Sequence, residues 1–176
     1  MSEPGDGASP ATARLALLEG RAICLVLAAA AARDEIGMRL TTLAGQHGFS
    51  ARWAGVDRWF VVATGEPGRL AATLQEALAG HASILDQSDG QVAIGIAGDS
   101  ARATLAKGIA LDLHPENFKP GDAAATRLGH VAIQLARTGA DAFEILVPRS
   151  YAMSVWESLA EMAAEFGCEV QPIAID

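Results

Sequence analysis

Two stretches of this chain run through the same order of patterns, and that recurrence limits the possible folds more than any single motif does. The first begins at Arg21 to Ala28, RAICLVLA, a short continuous apolar run with Ile and Val that reads as a strand covered on both faces. From Asp34 to His47 the period lengthens. Ile36, Leu40, Leu43 and His47 fall on one helical face, and Gly48 can supply a left-handed cap. Ser50 to Ala54 and Arg58 to Ala63 then flank the small-residue break Gly55-Val56-Asp57 as the arms of a hairpin. Pro67 suits the first turn of a second helix, where a proline loses no useful donor; Leu70, Leu74 and Leu78 line a face and Gly80 ends it. The order is strand, helix, hairpin, helix.

The same order returns downstream. Gln91 to Ala97, QVAIGIA, is a strand entered by a sharp turn at Asp89-Gly90, and Gly98-Asp99-Ser100 opens a short helix holding Ala101, Leu105 and Lys107. After a long connection, Val131 to Arg137 and Phe143 to Val147 form a second hairpin about Gly139-Ala140-Asp141. A helix follows from Ser150 to Phe166. Ala152, Val155, Trp156, Leu159, Ala163 and Phe166 make its apolar face, Glu157, Glu161 and Glu165 stay outside, and Gly167 terminates it. The expected class is therefore α+β: one domain over residues 12–176, built of two pseudo-repeats at about 14–80 and 82–176, with helices packed on mixed or antiparallel sheet. Residues 1–11, MSEPGDGASPA, carry no apolar periodicity and are expected to form a flexible tail.

The copies differ in one place. The hairpin turn moves from Asp57 to Asp141 while the preceding strand moves only from Cys24 to Ala93, so the second copy carries about 15 extra residues. They fall within Asp112 to Ala125, DLHPENFKPGDAAA, which has two prolines and a Gly-Asp turn and is longer than a connector needs to be. Asp112, His114, Pro115, Phe118 and Lys119 in this segment, with Arg149 and Ser150 at the corner before the last helix, are the candidate contacts for a partner.

Composition narrows the function classes. Apolar residues make up 51% and charged ones 19%, the balance of a globular chain and not of a disordered one. A formal net charge of -8 opposes binding to phosphate backbones or anionic membranes, which leaves proteins and small molecules as partners. The apolar run Ala22 to Ala32 is too short to span a bilayer. Its flanks mix Glu3, Asp6 and Glu19 with Arg14 and Arg21, unlike a basic leader, so a cytoplasmic protein is expected. Cys24 and Cys168 stand alone, without metal-ligand or redox spacing, and read as small hydrophobes in a reduced compartment.

The inventory of reactive groups is thin. No Ser, Cys or Thr sits in an elbow-like context, and Ser150, between a strand end and a helix, reads as a helix cap. His47, His81, His114 and His130 never approach HxH or HxxxH spacing. Asp112 and His114 would share a face on a strand, the arrangement of a carboxylate orienting an imidazole, but Pro115 favours a loop and no third member is evident. Asp86-Gln-Ser-Asp-Gly90 lacks EF-hand spacing and reads as a tight turn; Gly98-Asp99-Ser100 is a weak anion signal, since Asp99 would repel one. Trp156 reads as core. Trp53 and Trp59 straddle the first hairpin and read as core too, with a partner surface as the alternative.

An ordered set of residues runs through the second half: Asp86-Gln-Ser-Asp89, Gly98, Ala106-Lys-Gly108, Asp112-Leu-His-Pro115, Phe118, Gly121, Thr126, Phe143, Val147, Arg149-Ser150, Trp156 and Glu165-Phe-Gly167. On this set the chain resembles the gamma subunit of heterotetrameric sarcosine oxidase and the matching subunit of N-methylglutamate dehydrogenase. The resemblance covers Ala82 to Gly167 well, and the N-terminal half only in element order. It implies a fold like the folate-binding domain of the glycine-cleavage aminomethyltransferase, and a gamma subunit packed with alpha, beta and delta chains. It also implies that NAD, FAD, FMN and tetrahydrofolate belong to the alpha and beta chains and zinc to delta, with no catalytic or cofactor residue on this chain. The lysine-glycine-cysteine-tyrosine signature of the iron-sulfur-linked folate-binding relatives is missing. The function so implied is structural: completing a flavoenzyme of one-carbon metabolism that oxidatively demethylates sarcosine. N-methylglutamate dehydrogenase is the near alternative. A free-standing folate-binding aminomethyltransferase-like enzyme and a homodimeric binding module are the alternatives of other classes.

Overall fold

The computed structural model describes residues 12–170. The tail expected at residues 1–11 lies outside the described residues. The first half contains β1 (Ala13–Leu17), β2 (Arg21–Ala28), α1 (Arg33–His47), β3 (Ser50–Gly55), β4 (Arg58–Thr64) and α2 (Pro67–Ala77). The second contains β5 (Ala82–Asp86), β6 (Gln91–Ala97), α3 (Ala101–Ala106), β7 (Ala123–Leu128), β8 (Val131–Gly139), β9 (Ala142–Pro148), α4 (Ala152–Ala163) and β10 (Cys168–Val170). Short 3-10 turns precede α1 and bracket α4, so the single helix expected from Ser150 to Phe166 is an α-helix only over its middle. None of the described helices is long and apolar enough to cross a membrane.

The strands form two sheets, one of six in the order β10-β1-β6-β9-β8-β7 and one of four in the order β3-β4-β2-β5. Among the described residues all strand pairings are antiparallel except β1 with β10. In each half the expected strand pairs with the far arm of its own hairpin: β2 with β4, and β6 with β9. The leading strands are exchanged between halves. β1 precedes β2 in sequence but pairs with β6, matching Arg14 to Ala97, whereas β5 precedes β6 but pairs with β2, matching Ala82 to Ala28. Each sheet therefore needs a strand from the other half of the chain.

Alternation within the strands places three apolar layers. On β2, Ala22, Cys24 and Val26 join Val61, Ile36, Leu40, Leu70 and Leu74 beneath α1 and α2, while Ile23 points the other way. On β6 and β9, Ile94, Ile96, Phe143, Ile145 and Val147 pack beneath α3 and α4 with Leu105, Val155 and Leu159. Between the two sheets lies a thin layer of Ile23, Val62, Ala93 and Leu146. The arrangement is helix, sheet, sheet, helix, and burying each large aliphatic side chain in these layers contributes roughly 1.5–3 kcal/mol.

Turn chemistry follows the sequence closely. Gly48 caps α1 at φ 71°, its N–H bonded to the Ala44 carbonyl. Asp57 takes a left-handed φ of 61° at the first hairpin tip, where its carboxylate is gripped by Arg33 at the start of α1. The Arg33 guanidinium holds the Asp57 carboxyl below its ordinary range. Gly98 has φ 111°, and a Cβ there would sit 2.3 Å from the Thr12 carbonyl oxygen, so β1 can close on β6 only with glycine at this corner.

Candidate functional site

The insertion is only partly a surface loop. After α3 the chain bridges Ile109 to Leu128, then crosses to the opposite end of β8, where Gly121 N–H bonds the Arg137 carbonyl. It returns as β7, so Ala123 to Ala125, expected in the loop, begin an edge strand paired with β8. Leu113 and Phe118 turn inward and join the second-half core at 4% and 5% exposure. Phe118 thus serves as a core anchor, and the side chains free to meet a partner are those around it. Asp112, His114, Pro115 and Lys119 are exposed.

Asp112 does not orient the His114 ring. Its Oδ1 accepts the His114 backbone N–H at 2.9 Å and its other oxygen accepts from the Asn117 amide, a turn that holds the Asp112 carboxyl below the usual aspartate range. His114 Nδ1 in turn accepts weakly from Glu116 N–H at 3.4 Å. The Asp112 and His114 pair is a loop brace, without the geometry of an acid-base couple. Arg149 and Ser150 are exposed and follow the C-terminal end of β9, whereas Lys119 to Asp122 lie by Arg137 opposite its N-terminal end. The two groups of candidate contacts are therefore at opposite ends of one strand. Arg149 is fastened to the Asp89-Gly90 turn through its N–H and guanidinium, and the Ser150 hydroxyl makes no capping bond, because a 3-10 turn occupies the place of the helix start.

A second feature lies where the sheets face each other. A cleft of about 350 Å³ opens between the starts of β2, β3 and β7 and the end of β8. Glu144 of β9, 2% exposed, points into it from the six-stranded sheet because its neighbours Phe143 and Ile145 take the helix side. From the four-stranded sheet come Arg21, whose Nη2 lies 3.0 Å from Glu144 Oε2, and Arg52, whose Nη2 lies 2.7 Å from Oε1. Arg21 also donates to the Thr64 hydroxyl at 2.7 Å and Arg52 Nε to the Ser50 hydroxyl at 3.0 Å. Arg52 Nη1 is buried without any acceptor, and Glu144 Oε1, though close to Arg52, has no well-aligned donor.

Arg137, also 5% exposed, completes the wall. It has no carboxylate. Its Nε donates to the Gly139 carbonyl at 3.0 Å, and its two terminal nitrogens donate to the carbonyls of Phe118 and Ala140. One guanidinium thereby ties the insertion to a β8 bulge between Arg137 and Gly139. Sequence reasoning missed all four of these charged residues. The available signal was a charge at an inward position of an apolar strand, Glu144 in FEILV and Arg52 in SARWA.

Trp156 and Trp59 are half-buried against the two helix-side cores, but Trp53, on the edge strand β3, is 54% exposed. Only the Trp53 backbone is engaged, its carbonyl accepting from Gln134 Nε2 across the sheets at 3.0 Å. Cys24 is fully buried, and burial, aided by the nearby Asp86 charge, pushes its thiol up to about 11. The thiol is therefore protonated and inert at neutral pH. No three His, Cys, Asp or Glu side chains converge as a metal site among the described residues.

Comparison with known proteins places these features in context. Residues 20–165 match the model of the sarcosine oxidase, gamma subunit family. The chain is 31% identical over 128 residues to sarcosine oxidase subunit gamma of Corynebacterium sp. (strain P-1), a match covering 72% of this chain and 62% of that relative. The chain thus aligns with less than two thirds of that curated relative's length. Among solved structures, a chain of heterotetrameric sarcosine oxidase from Corynebacterium sp. U-96 in complex with pyrrole 2-carboxylate superposes with a TM-score of 0.77 at 24% identity, over 90% of this chain and 87% of that one. The glycine cleavage system aminomethyltransferase T from Bartonella henselae superposes with a TM-score of 0.60 at 17% identity, over 92% of this chain and 48% of the enzyme. The fold is thus of the aminomethyltransferase type.

Proposed function

The chain belongs to the sarcosine oxidase gamma subunit family, and from that premise we propose that it is the gamma-type subunit of a heterotetrameric flavoenzyme that oxidatively demethylates sarcosine. In this reading its work is architectural. It presents a rigid surface to the alpha, beta and delta chains, which carry FAD, FMN, NAD, tetrahydrofolate and zinc, and it supplies no catalytic group. The assembly is cytoplasmic.

The observation that carries the proposal is the family match over residues 20–165. The structure adds a surface suited to the role. Phe118 and Arg137 fix the insertion from inside, so Asp112, His114, Pro115 and Lys119 are displayed on a braced loop that loses little freedom on docking. Arg149, held by the Asp89-Gly90 turn, and its neighbour Ser150 offer a second contact at the far end of β9.

Co-expression with candidate alpha, beta and delta chains tests this. A tag on this chain is expected to retain a yellow complex that oxidises sarcosine. Retention of a complex that oxidises N-methylglutamate instead would move the chain to the sister enzyme. A chain that never co-purifies with a flavin subunit would exclude both.

A further inference from the structure

We infer that the cleft between the two sheets is a binding site for a small organic monocarboxylate, held between the guanidinium groups of Arg21 and Arg52. The inference rests on the cleft and is independent of the assembly role proposed above.

Charge is the first argument. Arg21, Arg52 and Arg137 line the cleft against a single carboxylate, Glu144, leaving an excess of two positive charges in a chain whose net charge is -8. Desolvation sharpens the point. Arg52, Arg137 and Glu144 are each 5% exposed or less, and in such surroundings an uncompensated charge is costly, whereas well-packed apolar residues would serve the core as well or better.

Hydrogen bonding is the second, independent argument. Arg52 spends Nε on Ser50 and Nη2 on Glu144, and Nη1 has nothing to bind. Nη1 has almost no surface open to solvent as the side chains stand, so a ligand reaches it by a turn of the Arg52 fork toward the cleft; a guanidinium is a planar fork matched to a carboxylate, and a second carboxylate beside Glu144 then supplies both the missing acceptor and the missing negative charge. Arg21, 25% exposed on its side chain, stands at the mouth where such an anion enters. Arg137 has its nitrogens engaged by carbonyls and acts through its charge alone.

The remaining wall sets the ligand class. Val62, Ala123 and Ala136 bring small apolar side chains to the cleft. They suit a compact aliphatic body behind the carboxylate and offer no further cationic side chain to a second acid group.

The test uses the full chain labelled at arginine nitrogen, with propionate as the probe at constant ionic strength and chloride as the control anion. Saturable shifts of the Arg21 and Arg52 Nε resonances with propionate, absent with chloride, are expected. Glu144→Gln should tighten binding severalfold, because it frees both guanidinium groups for the ligand. Arg21→Met should weaken it about tenfold, the worth of one charge-assisted contact. Because Arg52→Met alone would strand Glu144, the balanced pair Arg52→Met with Glu144→Leu is the second probe; it should fold and abolish binding. Equal responses to chloride and propionate, weaker binding in Glu144→Gln, or an ordered water on Arg52 Nη1 with no saturable propionate shift would each overturn the inference.

Discussion

The two halves of this molecule solve the same problem with different parts. In the first, a 15-residue α1 crosses back over the sheet and only Gly48 and Phe49 separate it from β3. In the second, α3 has six residues, and the stretch from Lys107 to His130 intervenes before β8. The buried residues show how the difference is made up. Leu40 and Phe49 close the first core from α1 and its exit, whereas Ile109 just before the insertion and Leu113 and Phe118 within it close the second. The insertion also adds β7, whose edge meets β3 of the other sheet. An apparent surface elaboration thus replaces missing helix on its inner side, and only its outer side stays exposed.

The largest expected effect tests that division within the insertion itself. Phe118→Ala should lower unfolding free energy by about 3–5 kcal/mol, as truncation of a packed aromatic does. Trp53→Ala on the exposed edge of the first half should stay within about 0.5 kcal/mol. Urea melts of both variants check the pair, and a small loss for Phe118→Ala would return the insertion to a plain surface loop.

Next comes the exchange of leading strands. Gly98→Ala forces a Cβ against the Thr12 carbonyl at a left-handed φ, and should cost at least about 1–3 kcal/mol. β1 sits in the six-stranded sheet and runs through a three-residue link into β2 of the four-stranded one, so amide protection should fall in both sheets together. Loss confined to β1 and β10 would mean that the exchange does not couple the halves.

Smaller effects follow from pH. Burial raises the Cys24 thiol from the ordinary 9.0 to about 11, so the folded form keeps a proton the unfolded chain gives up. Its contribution to stability is complete below pH 9 and is lost as pH rises toward 11. Cys24→Ala should lack this alkaline loss, as denaturant melts across that range would reveal. In the second half Asp112 has the opposite sign. Its carboxyl is lowered by the His114 N–H and then the Asn117 amide, so the loop brace is present above the ordinary aspartate value and fails as pH falls through the depressed one. Hydrogen exchange at the His114 amide should accelerate there, and in Asp112→Ala at all pH values.

Local features were legible in the sequence. The β6 limits, both hairpins, the start of α2 at Pro67 and the stop of α1 at Gly48 follow from apolar period and turn residues, which act over a few neighbours. What escaped depends on distant partners. β1 and β5 are five residues each and pair across the halves, and β7 is the alanine-rich ATRL-ended stretch that becomes a strand only because β8 offers it an edge. The Arg21 and Glu144 pair joins residues 123 positions apart, beyond any local signal. Phe118 looked like a contact because its neighbours are polar, yet its ring is one of the few large apolar groups available to close the core over a short α3.

If this chain is, as proposed, one unlike subunit of a larger oxidase, native mass spectrometry of the co-expressed assembly will show a particle of four different chains that contains one copy of this one together with bound flavin. A particle containing only this chain, as monomer or homodimer, would rule that assembly out.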